Sequence, residues 1–123
     1  MSVLLLSTDL LFASRVSQAA RTADVDLRVV ADTDQVLQHV TDECSPHLLI
    51  LDLSAADCDV QRIVTAVRRS PSPARVIAYA SHILGSLLQR ARQAGCDQVL
   101  TRGQFASRLD ELMKDQCGRE SAG

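Results

Sequence analysis

The stretch Pro46-His47-Leu48-Leu49-Ile50-Leu51-Asp52-Leu53 decides how this chain is read. Its apolar run, Leu48 to Leu51, reads as a parallel strand buried on both faces. Asp52 closes the run. A carboxylate at the C-terminal end of such a strand stands where open α/β sheets build their sites.

Upstream, Val3–Leu6 is a short apolar run ending at Ser7-Thr8-Asp9, followed by a helical pattern from Leu10 to Ala23 that puts Phe12, Val16, Ala19, Ala20 and Ala23 on one face. Leu27–Ala31 is the second strand. Asp32 and Gln35 stand at capping-box spacing, so a helix begins there, with Val36, Leu37, Val40 and Cys44 as its buried face and Ser45-Pro46 as its stop. Downstream of the third strand, Leu48–Leu53, the residues Val60, Ile63, Val64 and Val67 fall at helical spacing before Ser70-Pro71-Ser72-Pro73. Val76–Ala80 is the fourth strand, and Ile83, Leu84, Leu87, Leu88, Ala91 and Ala94 mark a helix capped by Gly95. Val99-Leu100-Thr101 is a brief fifth strand, and Phe105, Leu109, Leu112 and Met113 line a last helix.

Alternating strands and helices predict an α/β fold: a single doubly wound, five-stranded parallel sheet with helices on both faces. The flavodoxin-like strand order 2-1-3-4-5 is the leading topology. Residues 1–115 are expected to form one domain and residues 116–123 a polar, disordered tail.

Composition narrows the function. The net charge is −2 with no basic run, and the only aromatic residues are Phe12, Tyr79 and Phe105, so neither a phosphate-binding field nor a base-stacking platform is expected. Nucleic acid is therefore not an expected partner. Cys44, Cys58, Cys96 and Cys117 are widely spaced, with no zinc pattern, and read as reduced thiols, Cys117 being the most exposed. His39, His47 and His82 have no ligand-spaced companions, and no metal site is expected from them. No serine-histidine-aspartate set, glycine-rich phosphate loop, signal core or membrane-length run is present, so a cytoplasmic location and no membrane contact are expected.

The predicted topology gathers Ser7, Thr8 and Asp9, Asp52, Ala80 and Ser81, and Thr101 and Arg102 around one crevice at the strand ends. From Val3 to Met113 the chain resembles the bacterial response-regulator (CheY-like) receiver family of two-component phosphorelay systems. The resemblance is carried by Leu4-Leu5-Leu6-Ser7-Thr8-Asp9, by Pro46 to Leu53, by Val76-Ile77-Ala78-Tyr79-Ala80-Ser81, and by Ala94 to Gly103 in that order. It implies that Asp52 stands at the phosphoacceptor position, where a carboxylate attacks a phosphoryl group while Mg²⁺ neutralises charge.

The surroundings depart from the family. Ser7 and Thr8 replace the acidic pair that holds the metal. Asp9, one position later, either caps the first helix or reaches in as a substitute ligand. Ala80 replaces the phosphate-sensing hydroxyl, which Ser81 regains only by a slip of register. Arg102 replaces the lysine, Gly103 loosens the turn after it by replacing proline, and Val99 replaces the aromatic switch residue.

The resemblance together with these departures implies an atypical or pseudo-receiver: a protein–protein interaction module rather than an enzyme, without a cofactor, with Asp52 vestigial or a phosphoacceptor only under the alternative. The alternative is a phosphoaccepting receiver with a non-standard acidic site, which needs Mg²⁺. A small-anion sensor is a third reading. With the acidic pair gone, Arg102 is expected to bridge to Asp52. The resemblance also implies an interaction or homodimer surface on the fourth and fifth helices, with Leu84 and Leu88 as its apolar part and Arg92, Arg108 and Glu111 as its rim.

Overall fold

The structure, a computed structural model, describes residues 2–41, 46–55, 57–71 and 73–122, the side chains of 41 and 115–122 excepted. Its elements are β1 (Ser2–Leu6), α1 (Leu10–Thr22), β2 (Asp26–Val30), α2 (Thr33–Thr41), β3 (Leu48–Asp52), α3 (Val60–Arg69), β4 (Arg75–Ala80), α4 (Gly85–Ala94), β5 (Gln98–Thr101) and α5 (Arg102–Ala122). All strand pairs are parallel and the order is β2-β1-β3-β4-β5, as the sequence predicts.

Alternation along each strand sends side chains to two separate cores. Val3, Leu5, Leu48, Ile50, Ile77 and Tyr79 pack under α1 and α5 against Phe12, Val16, Phe105 and Met113. Leu4, Leu6, Leu49, Leu51, Val76, Ala78 and Ala80 pack under α2, α3 and α4 against Val36, Ile63, Val67, Leu88 and Ala91. Every residue of β3 is buried, which is why its sequence is a continuous apolar run ending in a single carboxylate.

Several boundaries move by a residue or two, each for a local reason. β2 ends at Val30 rather than Ala31, because the Ala31 N–H is taken by the Gln35 side chain at 2.8 Å while Asp32 accepts from Gln35 N at 2.8 Å. That pair starts α2 as the capping-box spacing implies. β3 stops at Asp52 because the Ala55 N–H turns back to the Asp52 carbonyl at 3.1 Å. The fourth helix starts at Gly85: Leu84 N donates to Ser81 O at 2.9 Å, closing a turn that leaves Ile83 outside the helix and 77% exposed. Gly95 ends α4 at φ 97°, a left-handed conformation that disfavours any residue with a Cβ.

The expectation for Cys44 in the buried face of α2 lies outside the described residues, as does that for the side chain of Cys117, and α5 continues through 116–122, where the sequence predicts a disordered tail. Among the described residues no helix is long and apolar enough to cross a membrane.

Candidate functional site

The crevice is built at the C-terminal ends of β1, β3, β4 and β5. Asp52 pairs in register with Tyr79, so both project toward α1 and α5. Asp52 is 6% exposed and both its oxygens have partners. Ser7 Oγ donates to Oδ2 at 3.3 Å, and Ser54 donates twice to Oδ1, from its N–H at 3.0 Å and its hydroxyl at 2.6 Å. Ser7, itself buried, accepts from Asp9 N at 3.2 Å, which ties the first turn to the carboxylate. Thr8 points to solvent.

Asp9 is the N-cap of α1. Its Oδ1 accepts from Phe12 N at 3.1 Å, and its Oδ2 accepts from Arg102 Nη2. The Phe12 amide first, and the Arg102 guanidinium second, hold its carboxyl below the ordinary value of 3.8.

Here the sequence expectation is corrected: Arg102 pairs with Asp9, and among the described residues no ion pair joins it to Asp52. Two features set the choice. The guanidinium lies over the Phe12 ring, 4.7 Å from its centroid, where cation–π attraction holds it beside the cap. Asp52 already has three hydrogen-bond donors. The expected loosening at Gly103 is also absent. Thr101 N donates to Gln104 Oε1 at 2.9 Å and Gln104 N to Thr101 Oγ1 at 3.2 Å, a reciprocal cap that makes Arg102 the first helical residue.

Under this ion pair the three aromatic residues meet. Tyr79 stacks on Phe105 with centroids 4.6 Å apart and planes at 2°, and Phe12 lies 5.2 Å from Tyr79 and 5.8 Å from Phe105. The Tyr79 hydroxyl is buried beside Ser7 and has no hydrogen bond of ordinary geometry. Burial first, and the charge of Asp52 second, push its ionisation upward, so it stays neutral at physiological pH. Tyr79, Ser54 and Phe12 are the site residues that sequence reasoning missed. Only Tyr79 carried a signal, being one residue before Ala80 on an otherwise aliphatic strand.

Ala80 ends β4 with its methyl buried on the α2–α4 side and offers no hydroxyl, while Ser81 lies beyond the strand. Val99 is half-buried against the same aliphatic core.

The expected surface on α4 and α5 changes as well. Leu88 is 6% exposed and belongs to the core, and Leu84 is half-buried, so the apolar stripe of α4 is consumed by packing. Arg92, Arg108 and Glu111 are exposed. Among the described residues, the large exposed apolar side chains are instead Leu10 at 82%, Leu11 at 84% and Ile83 at 77%, with Val29 at 41%.

Cys58 and Cys96 are unpaired, half-buried thiols. Burial pushes Cys58 up to about 12 and Cys96 up to about 11, so neither is a thiolate nucleophile at neutral pH. Among the described residues no group of three or more His, Cys, Asp or Glu side chains could hold a metal ion.

No family model matches the sequence, and no curated relative does. Solved structures do match in fold. A response-regulator receiver domain from Rhodospirillum rubrum is 20% identical with a TM-score of 0.70, covering 95% of this chain and 94% of its own. The receiver domain of a sensor histidine kinase from Pseudomonas aeruginosa, solved with magnesium coordinated in its active-site cleft, is 17% identical with a TM-score of 0.77, covering 95% and 97%. The receiver domain of a LuxO repressor protein from Vibrio parahaemolyticus is 22% identical with a TM-score of 0.74, covering 98% and 95%. The chain has the receiver fold over essentially its whole length.

Proposed function

We propose that this chain is a degenerate receiver: a signalling module that works by presenting a surface to a protein partner, without Mg²⁺-dependent phosphoryl transfer to Asp52. The observation that carries this reading is the pairing of Arg102 with Asp9 while Asp52 is held by Ser7 and Ser54.

Phosphoryl transfer to a carboxylate needs hard anionic oxygens around a divalent cation and a cation near the transferred group. Here both oxygens of Asp9 are engaged, by a helix-capping amide and by a guanidinium. Ser7 offers only a neutral hydroxyl that is spent on Asp52. That donor set does not suit Mg²⁺, and the charge a metal would supply comes instead from Arg102. Ala80 gives no donor to a phosphoryl oxygen. A phosphoaccepting reading requires Arg102 to leave both Asp9 and the Phe12 ring before the site can accept a cation.

For the surface, Leu10 and Leu11 follow the Asp9 cap directly and lie almost fully in solvent. Exposed apolar pairs of this kind favour a protein partner, and α1 is the helix tied to the crevice through Asp9 and Ser7.

Incubation with acetyl phosphate and Mg²⁺, followed by intact-mass measurement, tests the chemistry. The expected spectrum contains unmodified protein only. A phosphorylated species abolished by Asp52→Ala would contradict the reading. In a signalling assay, Leu10→Ser with Leu11→Ser is expected to impair output more than Asp52→Ala, and the reverse ranking would count against a surface-based mechanism.

A further inference from the structure

We propose that the cleft between the β3–α3 loop and α4 binds a small zwitterion whose ammonium and carboxylate are separated by an aliphatic chain. This inference is independent of how Asp52 behaves.

The cleft has a volume of about 440 Å³, within the range of small-ligand sites. Its apolar lining is Leu53, Val60 and Leu87, which pack on the aliphatic core below. One wall is the loop that carries Asp57, and the other is the face of α4 that carries Arg90. Neither Asp57 nor Arg90 makes a side-chain hydrogen bond or ion pair with a described residue, and both are exposed. Two opposite charges that face a common apolar strip and remain unpaired are complementary to a ligand carrying the opposite charge at each end and an apolar body between them.

The wall is preformed rather than induced. Buried Thr33 at the start of α2 grips the loop three times. Its N–H and hydroxyl donate to Asp57 O at 3.0 and 2.8 Å, and its Oγ1 accepts from Asp59 N at 2.9 Å. A pinned loop lowers the ordering cost of binding. Asp59 is not free to serve as a second anion in full, since it caps α3 by accepting from Arg62 N at 3.2 Å. Cys58 on the same wall keeps its proton, its ionisation pushed up to about 12, so the site is for reversible binding rather than covalent chemistry. The loop also contains Ser54, which makes two of the three hydrogen bonds to Asp52.

The test is an amide NMR titration of the intact chain with 6-aminohexanoate, using hexanoate, hexylamine and L-leucine as comparators. Saturable shifts are expected at Leu53, in 57–61 and in 87–93, with each comparator at least about tenfold weaker. Arg90→Gln and Asp57→Asn, both surface changes, are each expected to weaken binding by about tenfold while leaving the rest of the spectrum intact. Absence of saturable shifts at tens of millimolar ligand would overturn the site. Equal binding of hexanoate or hexylamine would overturn recognition of two charges, and equal binding of L-leucine would overturn their separation.

Discussion

The two faces of the sheet are made of different materials. The α1–α5 face holds Phe12, Tyr79 and Phe105, with Asp52, Ser7, Asp9 and Arg102 linked at its upper edge by hydrogen bonds and a cation–π contact. The α2–α4 face is aliphatic beneath the same strands, and its nearest residue to the crevice on β4 is Ala80, a methyl group. Polar and aromatic contacts have preferred directions, whereas aliphatic packing is non-directional. A disturbance at Asp52 therefore reaches α1 and α5 through Ser7, Asp9 and Arg102, and the β3–α3 loop through Ser54, while the residues of the α2–α4 face beneath it offer only aliphatic packing. Under the proposed reading, this difference favours Leu10, Leu11 and the start of α5 as the responsive surface.

Cutting into the aromatic face gives the largest expected effect. Phe105→Ala removes the stacked partner of Tyr79 from a fully buried site and is expected to cost about 3–5 kcal/mol in urea denaturation. A loss below about 1 kcal/mol would mean that the stack is not what holds α5 to the sheet.

Asp52 separates a structural carboxylate from a chemical one. Asp52→Ala strands the buried Ser7 hydroxyl and is expected to cost about 1–3 kcal/mol, while Asp52→Asn, which keeps an acceptor, should cost less. Equal losses would show that charge, not hydrogen bonding, is what the site requires.

Tyr79→Phe deletes a buried hydroxyl that makes no hydrogen bond of ordinary geometry and keeps the ring. It is expected to be neutral or stabilising by up to about 1 kcal/mol. A clear loss of stability would reveal a hydrogen bond from Tyr79 into the crevice and bring that residue into the polar network.

The smallest effect belongs to the exposed Asp9–Arg102 pair, and it is read through pH. Because the folded-state pKa of Asp9 is depressed, its contribution is complete at neutral pH, begins to fade as pH falls below 3.8 and is lost once pH passes below the depressed value. Melting temperatures of the wild type and Asp9→Asn should differ at pH 7, less so in high salt, and converge in acid. Curves that stay parallel down to pH 2 would show that the Asp9–Arg102 pair does not contribute through the charge of Asp9.

Much of the architecture was legible because it rests on local signals. Continuous apolar runs mark strands covered on both sides, Asp32 with Gln35 marks the start of α2, and Gly95 marks a helix end that needs positive φ. Asp52 was legible for the same reason, as the one charge closing a buried strand.

The partner of Arg102 was not legible. Two carboxylates from distant parts of the chain flank its position, and the ring of Phe12, buried by helical periodicity, decides between them. Leu88 was misplaced on the surface because a stripe on α4 cannot show how much of it the sheet and the neighbouring α3 cover. Leu10 and Leu11 escaped notice because they precede the buried periodic positions of α1, where periodicity is silent about exposure. Ser54 acts through its side chain on a residue two positions back, a short-range bond that loop composition alone does not specify.

The most direct test of a crevice without phosphoryl chemistry is an amide NMR titration with Mg²⁺ and beryllofluoride together. The expected result is no specific shift at Asp52, Asp9, Tyr79 or Arg102 at concentrations that saturate an active receiver. Shifts centred on those four residues that need both additives would show that Arg102 releases Asp9 to admit a cation, and would contradict the degenerate-receiver reading.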